Sequence, residues 1–380
     1  MGLGAGWTIA NVGAIADSMA VDYGVALATV GLFTTALFVV HATMQVPAGK
    51  LVDRLGARRG AFIGLTVMAI PNALALIAPD PALAISMRAV SGIGSALCFV
   101  SGIEYVRSHG GSPFAQGIFG GVALSAGGFA LAIVPQLDDW LAWRAAYMSM
   151  LVVLLLAFAV LLVGPSDATR SRPVSRASGD GPSVLRDGRL YRLCVVYMAS
   201  FGLAVVLSNW VVSLLTRAGG YEQGTAGLVG SLILAGGIVS RPLGGWLARR
   251  YPARLRPILG TSFALSALGT GLLALAGTVG VSLVGALVLG LASGIPFAAA
   301  FTVAARIRPD APAVAIAVVN MSANLVIVAG TPLVGLSFSL PSDGQLGFAV
   351  AVGLWLAALA ALPAIRELSL PQAAASTRAR

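Results

Sequence analysis

Apolar stretches of about twenty residues follow one another along almost the whole chain with short polar gaps between them, and about 20 helical residues cross a hydrocarbon core of roughly 30 Å. A soluble fold cannot bury so many long apolar segments, so a bilayer is the solvent. Composition agrees: 58% of the 380 residues are hydrophobic and only 10% charged, against about 45–50% and about 25% in soluble domains. The stretches are continuous, as in Met150–Val163, and lack the period-two alternation of a membrane β-barrel, so the spans are helical. Glycine is abundant, with 47 residues, which suits close helix packing in lipid. Met1–Ala20 begins apolar, without the early Lys or Arg of a removable signal peptide, and reads as a first span with a short inner end.

Hydrophobic runs place twelve spans near 1–19, 25–49, 60–79, 82–107, 113–136, 142–164, 191–217, 223–248, 256–277, 279–306, 312–338 and 344–365. Most of the 24 basic residues fall in alternate gaps: Lys50, Arg54, Arg58 and Arg59; Arg107; Arg170 to Arg192; Arg249 to Arg256; Arg306 and Arg308; then Arg366, Arg378 and Arg380. The other gaps carry Asp22, Asp80, Asp138, Asp139, Glu222 and Asp343, with Arg144 and Arg217. Short basic loops stay cytoplasmic, so a multi-pass plasma-membrane protein with both termini in the cytoplasm is expected. The net charge of +10 is dispersed over these loops without a basic stripe, which fits topology and anionic lipid and speaks against nucleic acid.

The polar stretch rich in Arg, Ser, Gly and Pro after the sixth span reads as a flexible linker. The expected organisation is an all-α integral membrane protein: an N-terminal six-helix half at 1–164, a cytoplasmic linker at 165–190, a C-terminal six-helix half at 191–366 and a tail at 367–380. An internal repeat supports the division, because Pro47, Gly49, Leu51 and Arg54 recur as Pro242, Gly244, Trp246 and Arg249. Parallel halves of this kind place a solute site near the midplane where they meet.

The run Gly49-Lys50-Leu51-Val52-Asp53-Arg54-Leu55-Gly56-Ala57-Arg58-Arg59 resembles the loop between the second and third helices of major facilitator transporters. Arg88-x3-Gly92-x-Gly94 resembles that superfamily's pattern on the fourth helix. The resemblance implies a twelve-helix major facilitator fold, alternating access, and a gating role for Gly49, Asp53, Arg54, Gly56, Arg58 and Arg59. A solvated basic turn that enforces topology is the simpler reading of the same run. In the second half Ala248 stands where Asp53 stands in the first, so a matching latch there is weaker.

Ser240-Arg241-Pro242-Leu243-Gly244-Gly245-Trp246-Leu247 looks like the eighth helix of the nitrate/nitrite and cyanate-type porters. Those porters also carry an arginine ahead of the second-helix proline and an Asn in the glycine-rich fifth helix. Here Met44-Gln45-Val46-Pro47 and Gly120–Gly128 hold neither, which argues against nitrate itself and leaves another monovalent anion or a small organic acid open. Drug/proton antiporters, the main alternative, carry Gly-Pro where this chain has Ala123-Leu124.

Candidate solute-binding residues are Arg88 and Arg241, one in each half, with Asn11, Gln45, Asn209, Asn320 and Asn324. An arginine inside a span costs at least about 2.5 kcal/mol unless it meets a partner or cavity, so each either grips an anion or fixes packing. Asn320 and Asn324, four apart, share one helix face. Candidates for a coupling proton are His41, Asp17 and Glu104. Cys98 and Cys194 lie inside apolar segments and offer no disulfide framework or metal site. HExxH, GxSxG and a phosphate loop are absent, so neither an enzyme nor an ATP-driven pump is indicated, and no cofactor is expected. A monomeric carrier of a small molecule is the expectation, with a non-transporting membrane sensor as a further alternative.

Overall fold

The computed structural model describes residues 1–109, 113–164, 186–308 and 312–369. Most of the expected linker and tail therefore lies outside the described residues.

Long apolar runs fold as long helices because each backbone group bonds within its own segment. The second span is Leu27–Leu55, 29 residues, about 43 Å at 1.5 Å per residue. It ends at Gly56, whose φ of 91° lies in the left-handed region that favours glycine, and the third span, Ala57–Leu74, begins at once. Pro81–Ser108, Pro113–Ile133 and Arg144–Val163 complete the first half. The second half comprises Gly188–Arg217, Gln223–Arg250, Leu255–Ala274, Val279–Ile307, Pro312–Ser337 and Gln345–Ala361. Among the described residues ten helical segments are long and apolar enough to cross a membrane. The other two expected spans are Ala57–Leu74, with Arg58 and Arg59 in its first turn, and the first span. The first span is broken into Gly2–Trp7, a 3-10 turn Gly13–Ile15 and Ala16–Asp22, since glycines at 2, 4, 6 and 13 weaken a continuous helix.

Three spans of the second half are also interrupted. The seventh carries a π-helical turn at Met198–Gly202, the eighth breaks at Gly236, and the tenth breaks between Ser293 and Pro296. The second to fifth spans of the first half run unbroken.

Leu155, Val160, Val163, Leu333 and Leu354 are exposed large apolar side chains, as expected of a belt turned to lipid. The two halves meet where the second span packs on the eleventh, the fifth on the eighth and the first on the seventh. At the fifth–eighth crossing a Cβ on Gly128 would stand 2.5 Å from the backbone nitrogen of Ala235, so glycine sets how closely the helices approach.

Side-chain contacts join the halves at the end bearing Asp17, Asp22 and Asp138. There Asp17 pairs with Arg217, Gln136 Nε2 donates to Gly224 O at 3.0 Å, Thr34 Oγ1 donates to Asn209 Oδ1 at 3.2 Å, and Thr35 Oγ1 donates to Val328 O at 3.0 Å. The acidic end is sealed by one half against the other.

Candidate functional site

Between that seal and the basic end lies a cavity midway along the spans, walled by both halves. The first half contributes Phe38 and His41 from the second span, Ser95 and Phe99 from the fourth, and Leu124 from the fifth. The second half contributes Tyr197 and Phe201 from the seventh span, Arg241 from the eighth, and Asn320 and Asn324 from the eleventh. Its interior is about 50 Å³, and the side chains around it include no carboxylate.

Arg241 is the cation of this cavity and is only 5% exposed. The break at Gly236 restarts the eighth span one turn before it, on the segment Gly237–Arg250. Its Nη1 donates to Gly120 O across the interface at 2.8 Å. Its guanidinium lies over the Phe297 ring at 4.2 Å and the Phe201 ring at 5.4 Å. Tyr197 stacks on Phe201 at 5.5 Å, and Phe301 packs against both Tyr197 and Phe297. The Nε of Arg241 is buried and finds no acceptor among the described residues. A charged donor held by aromatic faces and one carbonyl, without a carboxylate among the described lining residues, keeps an uncompensated positive charge.

Opposite it, a polar chain comes from the first half. Gln45 Nε2 and His41 Nε2 are 2.8 Å apart, and His41 Nδ1 and Ser95 Oγ are 3.1 Å apart. His41 sits between Phe38 and Phe99, with ring centroids 6.0 and 6.2 Å away.

Other sequence candidates fall elsewhere. Arg88 is 1% exposed, does not line the cavity, and donates to Thr8 O at 2.9 Å, Asn11 Oδ1 at 3.3 Å and Phe33 O at 3.4 Å. Asn11 in turn donates to Ala146 O at 2.9 Å, deep in the first half. Asn209 accepts from Thr34 and donates to Val205 O, so it joins the two halves at the acidic end. Asn324 reaches back toward Asn320 O at 3.5 Å. Asp17 is engaged by Arg217, and Glu104 is half-buried toward the basic end of the fourth span, outside the cavity. In the basic loop Arg58 Nη2 donates to Leu161 O and Leu162 O at 3.0 and 2.9 Å, tying the third span to the sixth. Arg54 and Arg59 are exposed beside Gly49 and Gly56, and the side chain of Asp53 lies outside the described residues.

Sequence reasoning missed Ser95 and the aromatic group around Arg241. A signal for the latter existed: Tyr197 and Phe201, and Phe297 and Phe301, are pairs four apart and so share a helix face.

Residues 1–331 match the model of the Major Facilitator Superfamily. Relatives include a nitrite extrusion protein of Bacillus subtilis, 24% identical over 295 residues, covering 75% of this chain and 71% of that protein. A gentisate transporter of Corynebacterium glutamicum is 25% identical over 65% of this chain and 59% of its own length. A probable nitrate/nitrite transporter, NarK2, of Mycobacterium tuberculosis is 26% identical over 65% of this chain and 64% of its own. In fold the chain resembles the crystal structure of a point mutant of the nucleoside transporter NupG, with a TM-score of 0.74 at 14% identity over 96% of this chain and 98% of that one. The human organic anion transporter MFSD10 gives a TM-score of 0.67 at 17% identity over 95% and 97%.

Proposed function

The chain belongs to the Major Facilitator Superfamily, and we propose that it carries a small monovalent anion or small organic acid across the plasma membrane by alternating access. The observation that carries this reading is Arg241: a buried guanidinium, in contact with rings and one carbonyl, that lines a cavity whose described side chains include no carboxylate. An anion there pairs with the guanidinium and neutralises its charge, and a cation gains nothing from it. The names of the relatives agree, since nitrite, nitrate and gentisate are all anions near neutral pH. Size adds a constraint. The cavity, about 50 Å³, has room for a small anion as it stands.

The sealed acidic end and the midplane cavity correspond to an inward-facing state when basic loops and both termini are placed in the cytoplasm. The Gly49–Arg59 loop with Asp53 then serves as the latch of the opposite, outward-facing state. Asn320 and Asn324 are the amide contacts to the solute; Arg88, Asn11 and Asn209 hold the scaffold. Of the three candidates for a coupling proton, His41 alone lines the cavity, facing Tyr197 and Arg241. On the neighbouring fourth span, Arg88 and Glu104 lie about two turns to either side of Ser95. The working unit is a monomer.

The test is uptake into liposomes by purified protein, offered nitrite, nitrate, gentisate and a cationic drug. Anion uptake that disappears in Arg241→Ala is the expected result. Preference for the cationic drug, undiminished in Arg241→Ala, overturns the proposal and favours drug efflux.

A further inference from the structure

The hydrogen bonds around His41 determine where its proton sits. A glutamine amide nitrogen only donates, so His41 Nε2, 2.8 Å from Gln45 Nε2, accepts and carries no hydrogen. The neutral ring therefore has its proton on Nδ1, which donates to Ser95 Oγ at 3.1 Å. Ser95 consequently receives a hydrogen bond and must place its own O–H elsewhere. Helical serines commonly turn that hydrogen back to a carbonyl one turn earlier, as Ser125 does to Gly121 O and Ser208 to Val205 O. Among the described residues Ser95 makes no such bond, and its side chain lines the same cavity as Arg241.

We infer that Ser95 is the first half's direct hydrogen-bond donor to the transported anion, with Gln45 and His41 as positioning residues that aim its hydroxyl. The inference rests on the proposed anion site at Arg241. An anion so held touches Arg241 from one half and Ser95 from the other, so only the loaded site draws the halves together around the solute. Specificity follows, because the acceptor oxygen must reach Ser95 while the anion stays on Arg241, which favours compact anions with two or more oxygens.

Uptake kinetics in liposomes, with nitrite, nitrate and gentisate as probes, decide the matter. Ser95→Ala is expected to raise KM about tenfold at nearly constant maximal rate, the loss of one hydrogen bond to a charged group. Ser95→Thr, which keeps the hydroxyl, is expected to restore KM. Unchanged KM in Ser95→Ala, with uptake lost in Arg241→Ala, overturns the role of Ser95 alone; retention of uptake in both variants overturns the anion site as well. The aiming mechanism has its own readout, because the chain has only two histidines. In 15N-histidine-labelled His109→Gln protein, His41 is expected to show a protonated Nδ1 and a bare Nε2. A proton on Nε2 overturns it.

Discussion

Arg88 and Arg241 are both arginines buried in a membrane span, one in each half, and the fold treats them oppositely. Arg88 finds three oxygen acceptors within its own half, and its donors are directed into the scaffold. Arg241 finds one carbonyl, from the other half, and otherwise rings. Two carbonyls and an amide oxygen engage all three nitrogens of the Arg88 guanidinium. Aromatic faces stabilise its charge yet leave N–H groups unused, by about 0.5–2 kcal/mol per favourable contact. What a buried guanidinium still has to offer a ligand thus depends on whether oxygen or aromatic carbon surrounds it.

The contrast breaks first under truncation. Arg241→Ala is expected to reduce anion uptake by on the order of a hundredfold, the usual cost of removing one partner of a buried charged contact, while the unfolding temperature of the detergent-solubilised protein changes little. Arg88→Ala is expected to do the reverse. Thr8 O, Phe33 O and Asn11 Oδ1 lose their donor, at a cost on the order of 3 kcal/mol in stability, read as a lowered unfolding temperature and reduced yield. Equal losses of uptake at equal stability in the two variants contradict the division of roles.

A finer probe alters the surroundings of Arg241 and leaves its charge. Phe297→Leu removes the nearest ring, 4.2 Å from the guanidinium, and is expected to raise KM by roughly three- to thirtyfold, matching about 0.5–2 kcal/mol. Phe297→Tyr keeps a π-face and is expected to hold KM near that of the parent protein. If Leu and Tyr behave alike, the ring acts only by filling space.

Much of this was legible in the sequence, and the illegible parts share a cause. Span placement follows from apolar length, and the family from the Gly49–Arg59 run, because both are local in the chain. The π-helical turn at Met198–Gly202 has no equally local signal, and the breaks at Gly236-Gly237 and at Gly294 ahead of Pro296 carry one that apolar length alone passes over; together they position Arg241 and its aromatic neighbours. Arg88 and Arg241 read alike in sequence because their acceptors lie 55 to 121 positions away. Ser95 looks like one more small packing residue until His41, 54 positions earlier, is seen within hydrogen-bond distance of it. Asp17 likewise reads as a lone acid in the sequence, because its partner Arg217 lies 200 positions away.

That last pair gives the smallest effect. Asp17 and Arg217 join the halves at the acidic end, and their side chains are 30% and 39% exposed, so water screens them. Opening that end must separate them. An exposed ion pair contributes about 0.2–1 kcal/mol, so Asp17→Asn is expected to shift the balance toward the open-outside state by only about one- to fivefold. Spin labels at Val21→Cys and Leu275→Cys, exposed sites in opposite halves, report the shift as a larger share of long distances; native Cys98 and Cys194 are buried. Exchanging the charges with Asp17→Arg and Arg217→Asp should restore the parent distribution, and high salt should narrow the difference between parent and Asp17→Asn, because screening weakens exposed pairs far more than buried ones. A distribution that ignores both charge and salt would assign closure to the apolar crossings at Gly128 and Val328, leaving the ion pair a surface ornament of a seal made by packing.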